Sequence, residues 1–431
     1  MKRPSRVLAV FTSLWFIAGA ALATRLAFAW DQQAKIPHAA LATVPFDQET
    51  GNIALALSQG HGYANLFRKD TGPTAWLAPV YPFLLSLVFR FFGPFTLSSL
   101  FVAVLLNAIF SAAATFPLYT IARRVAGLPV AAASAWIWSC LPSGVMMPFA
   151  WIWDTSLSVL LAVILVWATI RASESTRSAV WLGYGLLWAL ALLTNPGLGI
   201  GLPVLFGWAF LRTGFRPRRA ILIPAASLLV TAVCCVPWTI RNLERLHRVI
   251  PIRSSLSFEL WIGNNDIFDE HAVGGSQRIT RFEETRRYAQ LGETTYLDEK
   301  SRLVLKFIRE KPSLFARLIG RRIIATWFGT ERPYDDFQRA DSALVRTILV
   351  INLLLTVGTL VGIVLLTVRR HPLAVPLIVF PVLYPIIYYV THSSLRYRHP
   401  IDPLLALLTV LSVATAYRTI KPSAGPAIFL S

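Results

Sequence analysis

Carboxyl groups beside apolar segments are the side chains of this 431-residue chain best suited to acid–base chemistry. Glu49 and Asp47 share the stretch Pro45-Phe46-Asp47-Gln48-Glu49, and Asp154 directly follows Trp153. Partial desolvation would raise the pKa of such a carboxyl group toward neutrality and make it a general base. The alternatives are structural. Glu49 could be a first-turn acid that interacts with the helix dipole, and Asp47 and Asp154 could be N-caps.

Arginines form the second group of candidates, and they are suited to binding an anion. Arg241 follows Pro237-Trp238-Thr239-Ile240, and Arg396 and Arg398 flank Tyr397. A guanidinium group binds phosphate through parallel hydrogen bonds and keeps its charge near lipid. The structural alternative is that these side chains extend to lipid headgroups. Arg25, near the end of the first apolar run, is a further candidate.

The elements that must position these residues are membrane helices. Hydrophobic residues make up 55% of the chain and charged residues only 15%, whereas a soluble domain carries about 25% charged residues. The net charge of +19 is spread over short clusters at the ends of apolar runs, as the positive-inside rule predicts, so a nucleic-acid-binding surface is excluded. Three cysteines, Cys140, Cys234 and Cys235, lie inside apolar runs and give neither disulfide nor metal-ligand spacing.

The fold class predicted is an all-α polytopic membrane protein with about ten transmembrane helices and both termini in the cytoplasm. The spans are 7–29, 95–121, 129–149, 155–170, 179–194, 198–212, 220–240, 344–367, 372–391 and 400–417. The apolar stretch 79–92 is too short to cross the bilayer, and a crossing there would place Arg123 and Arg124 outside. It is therefore predicted to be a juxtamembrane helix on the outer surface.

Three regions follow from this topology. They are an N-terminal membrane module (1–240, with a first outer loop at 30–94), a small soluble outer segment (241–343) and C-terminal membrane helices (344–431). Within the first outer loop a short amphipathic helix is predicted to start near Glu49, with Ile53 and Leu57 on one lipid-facing side.

The topology places all these acids and arginines, Arg25 included, on the outer side of the membrane. Such a set suits a hydroxyl nucleophile and a phosphate leaving group. The sequence has no Walker loop, dinucleotide fingerprint or Ser-His-Asp spacing, so the phosphate is expected on a lipid carrier. A divalent metal is not indicated.

Several motifs resemble those of a known family. They are Glu49-x4-Ala54, Gly60-His61-Gly62-Tyr63, Gly72–Pro82, Trp153-Asp154-Thr155, Pro237–Asn242 and Arg396-Tyr397-Arg398-His399-Pro400. In this order they resemble bacterial family 39-like glycosyltransferases of the GT-C class. That group includes relatives of protein O-mannosyltransferases and of the lipid A aminoarabinose transferase.

The resemblance implies inverting transfer of a sugar from a polyprenyl-phosphate donor, with a first-loop acid as base. That acid maps to Glu49, although the family often has Asp there, which keeps Asp47 as a rival. Asp154 maps to a second acid in the next outer loop. Some relatives have Lys before the juxtamembrane proline, where this chain has Ala78, and this shifts the phosphate-binding role to the arginines.

The acceptor expected is a hydroxyl group of a protein, lipid A or an envelope glycan. The location expected is the bacterial inner membrane, with the site facing the periplasm. Two other functions stay open. One is a flippase for lipid-linked sugars, and the other is an enzyme of the O-antigen ligase or polymerase type.

Overall fold

A computed structural model of the protein describes residues 6–35, 46, 49–67, 70–214, 217–265, 281–330, 338 and 342–420. The regular structure of these residues is helical, apart from one isolated antiparallel bridge between Ala64 and Pro73. The helices are α1 (Arg6–Phe11), α2 (Leu14–Ala34), α3 (Glu49–Ser58), α4 (Val80–Phe92), α5 (Leu97–Ala113), α6 (Thr115–Ala126), α7 (Leu128–Cys140), α8 (Pro142–Ala150), α9 (Thr155–Ser173), α10 (Ser178–Thr194), α11 (Leu202–Arg212), α12 (Pro217–Leu246), α13 (Leu256–Gly263), α14 (Arg281–Leu291), α15 (Glu293–Glu310), α16 (Pro312–Phe328), α17 (Ala343–Val368), α18 (Ala374–Leu383), α19 (Ile386–Val390), α20 (Leu395–Arg398) and α21 (Asp402–Ile420).

Helices occupy the positions of all ten predicted spans, and the all-α polytopic fold class is confirmed. Among the described residues, five helices are long and apolar enough to cross a bilayer. The number becomes six if α7 and α8, which meet at an angle of 42°, form one span. The predicted spans 179–194, 198–212 and 372–391 correspond to shorter apolar segments.

Local sequence explains where these helices begin and bend. Thr96 and Ser99 form a capping box at the start of α5, in which each side chain accepts a hydrogen bond from the other residue's backbone N–H. Pro142 has no backbone N–H to continue α7 and therefore starts α8 in a new direction. Along α17, Leu354, Leu360 and Val364 are exposed, as expected for side chains that face lipid.

The main core of the bundle lies between α7, α9, α10 and α21. Trp138, Trp181 and Trp188 are fully buried there, and they pack among small and aliphatic side chains of the neighbouring helices. A close-packed core of this kind holds the outer ends of α9 and α21 in fixed positions. Asp154 directly precedes α9, and Arg396 lies in α20, shortly before α21.

The first outer loop forms a second core with the segment that follows α12. Ile53 of α3 is completely buried against Trp76, Trp238 and Tyr288. The prediction that Ile53 and Leu57 face lipid is therefore wrong. The two side chains do share one side of the helix, but aromatic rings cover it, among them Tyr288 of α14 and Tyr296 of α15.

A buried carboxylate joins the two parts of this outer region. Glu293, only 3% exposed, accepts hydrogen bonds from the Ala75 N–H (2.8 Å) and from the hydroxyls of Ser254 (2.8 Å) and Tyr288 (2.7 Å). The Thr74 hydroxyl donates a fourth hydrogen bond to it. A carboxylate with this many donors can remain buried, and the first outer loop is thereby tied to the 251–255 stretch.

We predict that α4 does not cross the membrane. Its 13 residues span only about 20 Å, short of the roughly 30 Å hydrocarbon layer. In a variant without the natural cysteines, Leu128→Cys should be protected from an impermeant thiol reagent in intact cells. Glu310→Cys, at an exposed position of the outer segment, is the control that should react. Equal labelling at both positions would show that α4 spans the bilayer.

Candidate active site

A cavity of about 570 Å³ lies at the junction of the first outer loop, the segment after α12 and the outer ends of the membrane helices. It is lined by Glu49, Trp151, Trp153, Asp154, Thr155, Asn195, Pro196, Gly197, Ile200, Arg253, Ser255, Leu256, Phe258, Glu259, Ile262, Tyr384, Ile387, Tyr388, Thr391, His392, Arg396, Tyr397 and Pro400. The folded chain therefore brings four of the predicted site residues, Glu49, Asp154, Arg396 and Tyr397, to one cavity.

Glu49 is the first residue of α3, and its carboxylate accepts no side-chain hydrogen bond from the described part of the chain. Burial raises its pKa, and the nearby Glu259 adds to that shift, while Arg396 and Arg253 oppose it. A carboxyl group that is desolvated but otherwise uncommitted can exchange a proton with a ligand.

Asp154 precedes α9, but its side chain does not cap that helix. Its Oδ2 atom instead accepts a hydrogen bond from the Ser158 hydroxyl at 3.0 Å, one turn into the helix. Burial raises the pKa of Asp154, with opposing effects from Arg253, Ser158 and Arg396. The purely structural interpretation of Asp154 as an N-cap is thus not supported by the geometry.

Arg396 lies in an aromatic part of the cavity. Its guanidinium carbon is 4.2 Å from the ring centre of Trp151, 4.9 Å from that of Trp153 and 4.6 Å from that of Tyr397. One guanidinium nitrogen donates a hydrogen bond to the Tyr397 hydroxyl at 2.7 Å. Arg396 forms no salt bridge with any residue that the structure describes, so its charge is available to an anionic ligand.

A second cavity arginine, Arg253, comes from the segment that follows α12. Its Nε atom donates to the Trp76 carbonyl (3.0 Å) and the Ser255 hydroxyl (2.6 Å), and a terminal nitrogen pairs with Glu259 at 2.5 Å. The bond to Trp76 links Arg253 to the first outer loop. Because Glu293 holds Ala75 and Ser254, the residues adjacent to this contact are fixed as well.

A chain of hydrogen bonds connects Asp154 to two tyrosines that line the cavity. Ser158, which donates to Asp154, accepts from the Asn195 amide at 3.1 Å. The same amide donates to the Tyr384 hydroxyl at 3.1 Å, and Tyr384 bonds to the Tyr388 hydroxyl at 3.0 Å. The network fixes the Asp154 carboxylate relative to the aromatic wall of the cavity.

The other predicted arginines do not line the cavity. Arg398, 1% exposed, pairs with Asp402 at 2.9 Å and donates to the Trp327 carbonyl (2.8 Å) and the Asn352 side chain (2.7 Å). All of these contacts lie in the protein interior. They tie α20 to α16, α17 and α21.

Arg241 and Arg25 are likewise engaged elsewhere. Arg241 donates to the Thr74 carbonyl at 2.6 Å and to the Tyr63 carbonyl, and it therefore anchors the first outer loop to α12. Arg25 is buried and donates to Ser111 (2.8 Å) and to backbone carbonyls of α2 and α7. Asp47, the rival of Glu49, lies outside the described residues.

Arg253, Glu259, His392, Tyr384 and Tyr388 are the charged or titratable cavity residues that the sequence did not reveal. The first two lie in the outer segment, where acids and bases alternate without a recognisable motif. His392 lies shortly before the Arg396-Tyr397-Arg398 stretch that did attract attention. Within the described residues, no group of three His, Cys, Asp or Glu side chains is arranged to hold a metal ion.

Comparison with known proteins agrees with the resemblance drawn from the motifs. Residues 76–240 match the family of dolichyl-phosphate-mannose-protein mannosyltransferases. The oligosaccharyltransferase AglB of Archaeoglobus fulgidus, in complex with an inhibitory peptide and a dolichol-phosphate, superposes with a TM-score of 0.53 at 12% identity. The chain has the GT-C fold. The recognition of the GT-C class from the motifs is thus confirmed by the fold and by the family match over residues 76–240.

The chain spans about half the length of this archaeal oligosaccharyltransferase. The superposition on AglB covers 98% of the chain and 52% of AglB, and the apo form gives a TM-score of 0.52 with 14% identity, covering 100% and 53%. ArnT from Cupriavidus metallidurans bound to undecaprenyl phosphate shares 14% identity over 89% of this chain and 78% of ArnT. The TM-score of this superposition is 0.35. No curated protein has a significantly similar sequence.

We predict that Arg398→Lys destabilises the GT-C fold, whereas Arg396→Lys does not. Lysine cannot satisfy Asp402, Asn352 and the Trp327 carbonyl together, and the loss should be about 1–3 kcal/mol. At position 396 lysine keeps a cation over the aromatic rings and leaves no carbonyl or carboxylate without a donor. The midpoint of thermal unfolding of each purified variant is the measurement. Equal destabilisation by the two changes would contradict this division of roles.

Proposed function

We propose that this protein transfers a sugar from a polyprenyl-phosphate donor to a hydroxyl acceptor on the outer face of the bacterial inner membrane, with inversion at the anomeric carbon. The observation that supports this most directly is the composition of the cavity. Two carboxyl groups with raised pKa values, Glu49 and Asp154, face the same space as Arg396, which has no carboxylate partner among the described residues. A base and an anion site are what this transfer requires.

Arg396 is the proposed ligand of the donor phosphate, and Arg253 is the second. A guanidinium group keeps its charge in a partly desolvated cavity and can donate two parallel hydrogen bonds to phosphate oxygens. The aromatic rings around Arg396 exclude water and strengthen its interaction with a developing negative charge. Arg253 is partly neutralised by its salt bridge with Glu259. Arg253 and Arg396 together therefore suit a donor with one phosphate better than a donor with two.

Glu49 is the proposed base. The acceptor hydroxyl oxygen bonds to the anomeric carbon, the bond from that carbon to the phosphate oxygen breaks, and the electron pair leaves with the lipid phosphate. The hydroxyl proton passes to the Glu49 carboxylate. Asp154 has one oxygen committed to Ser158 and is held by its network, which fits orienting the acceptor better than accepting the proton.

The relatives support the same class of donor. The family matched by residues 76–240 is named for dolichyl-phosphate-mannose, and the structure of AglB includes a dolichol-phosphate. A flippase for lipid-linked sugars would be expected to have ionisable side chains at mid-bilayer depth. The charged cavity residues of this protein instead lie at helix ends and in the outer segment.

We predict that Glu49→Gln lowers the turnover of a synthetic polyprenyl-phosphate sugar by about 10²–10⁴. Thermal stability should change little, because a first-turn helix acid contributes only tenths of a kcal/mol. The measurement is transfer by purified protein, with binding of undecaprenyl phosphate followed in parallel. Binding without transfer in Glu49→Gln identifies the base, whereas full transfer in this variant would exclude Glu49.

Asp47→Asn is the matched control, because asparagine also caps helices well. Its turnover should stay close to that of the unchanged protein. A large loss in Asp47→Asn together with normal turnover in Glu49→Gln would transfer the role of base to Asp47.

The pH dependence of transfer gives a further prediction. As the pH falls, kcat/KM should decline at a pH above the usual pKa range of glutamate, because burial raises the pKa of Glu49 and only its ionised form accepts a proton.

A further inference from the structure

The two cavity arginines are linked by a continuous series of polar contacts. Arg253 pairs with the Glu259 side chain at 2.5 Å, and the backbone carbonyl of Glu259 lies 3.4 Å from Nδ1 of His392. The other ring nitrogen of His392, Nε2, is 2.6 Å from the Tyr397 hydroxyl, which accepts a hydrogen bond from Arg396 at 2.7 Å. Glu259, His392 and Tyr397 thus connect Arg253 to Arg396.

The direction of these bonds is set by the chemistry of the Tyr397 hydroxyl. Its oxygen accepts from Arg396, and we assign its only proton to the bond with Nε2 of His392. With this assignment His392 is neutral and carries its proton on Nδ1, which faces the Glu259 carbonyl at 3.4 Å. Burial lowers the pKa of His392 and keeps it neutral, despite the opposing Glu259 carboxylate, and Arg396 and Arg322 act in the same direction as burial.

Stacking fixes the ring on which this arrangement depends. The Tyr397 ring lies parallel to that of Tyr388, at an interplanar angle of 9° and a centroid distance of 4.6 Å. The Tyr388 hydroxyl is hydrogen-bonded to that of Tyr384, which accepts in turn from the Asn195 amide. The hydroxyl of Tyr397 therefore has a defined position from which it can fix the Arg396 guanidinium.

We propose that His392 and Tyr397 are positioning residues that hold Arg253 and Arg396 as a single clamp for the phosphate of the lipid-linked donor. The inference rests on the proposed function. It adds two residues that do not contact the phosphate themselves but increase the affinity of the two arginines for it. A guanidinium group that is already held in place loses less side-chain entropy on binding than a mobile one.

The test is equilibrium binding of undecaprenyl phosphate to the purified full-length protein, followed by tryptophan fluorescence, since Trp151 and Trp153 flank Arg396. Tyr397→Phe keeps the stacked ring and removes only the hydroxyl. It should weaken binding about tenfold, the usual effect of losing a hydrogen bond to a charged group. His392→Leu should weaken it similarly, and the double variant should be no worse than either single change, because both interrupt the same chain.

Two further variants separate positioning from general damage. His392→Gln offers an acceptor near the position of Nε2 and should restore most of the affinity lost in His392→Leu. Tyr389→Phe removes another tyrosine hydroxyl, one that accepts from the Trp327 indole at 2.7 Å outside the cavity, and it should bind normally. The donor KM should rise in Tyr397→Phe, while the acceptor KM should not.

The binding results separate the proposed function from the positioning role of His392 and Tyr397. If the unchanged protein does not bind undecaprenyl phosphate, the proposed function fails. If it binds, and Arg396→Ala abolishes binding while Tyr397→Phe and His392→Leu bind normally, the donor site stands and the positioning role is overturned. Equal weakening in Tyr389→Phe would also overturn it.

Discussion

The buried carboxylate of Glu293 is the interaction on which the packing of the first outer loop against the segment after α12 depends. A buried charge is tolerated only when hydrogen bonds replace its hydration, and Glu293 obtains four of them from three separate parts of the chain. One part is the first outer loop, which contains α3 and its first residue, Glu49. Another is the stretch that carries Arg253. Glu293 thus links the two stretches of the chain that contain Glu49 and Arg253.

The same physical constraint acts differently inside the cavity. Glu293 has its charge satisfied by the protein, whereas Glu49 lacks side-chain donors among the described residues and Arg396 lacks a carboxylate there. Burial of incompletely satisfied charge costs stability, and proteins retain it mainly where a ligand completes the arrangement. A hydroxyl proton for Glu49 and a phosphate for Arg396 would do this. The cavity is therefore explained better by the proposed transfer than by a purely structural role.

The sequence predicted the membrane helices because long apolar runs can satisfy their backbone only as helices. It also predicted Glu49, Asp154 and Arg396, which stand beside such runs. It could not separate Arg396 from Arg398, although residues two apart on a helix point in different directions and Arg398 has Asp402 four residues later. Arg253 and Glu259 were missed because their place in the cavity comes from tertiary packing on the first outer loop, which leaves no local signal.

The position of the bound donor phosphate tests the central claim most directly. A structure of the protein with undecaprenyl phosphate, determined by electron cryomicroscopy, should show the phosphate in the cavity, within hydrogen-bond distance of Arg396 and close to Arg253. Glu49 should face the side from which an acceptor would approach. A phosphate bound at Arg241 would contradict the proposed mechanism. So would a donor position in which Glu49 cannot reach a hydroxyl group that attacks the anomeric carbon.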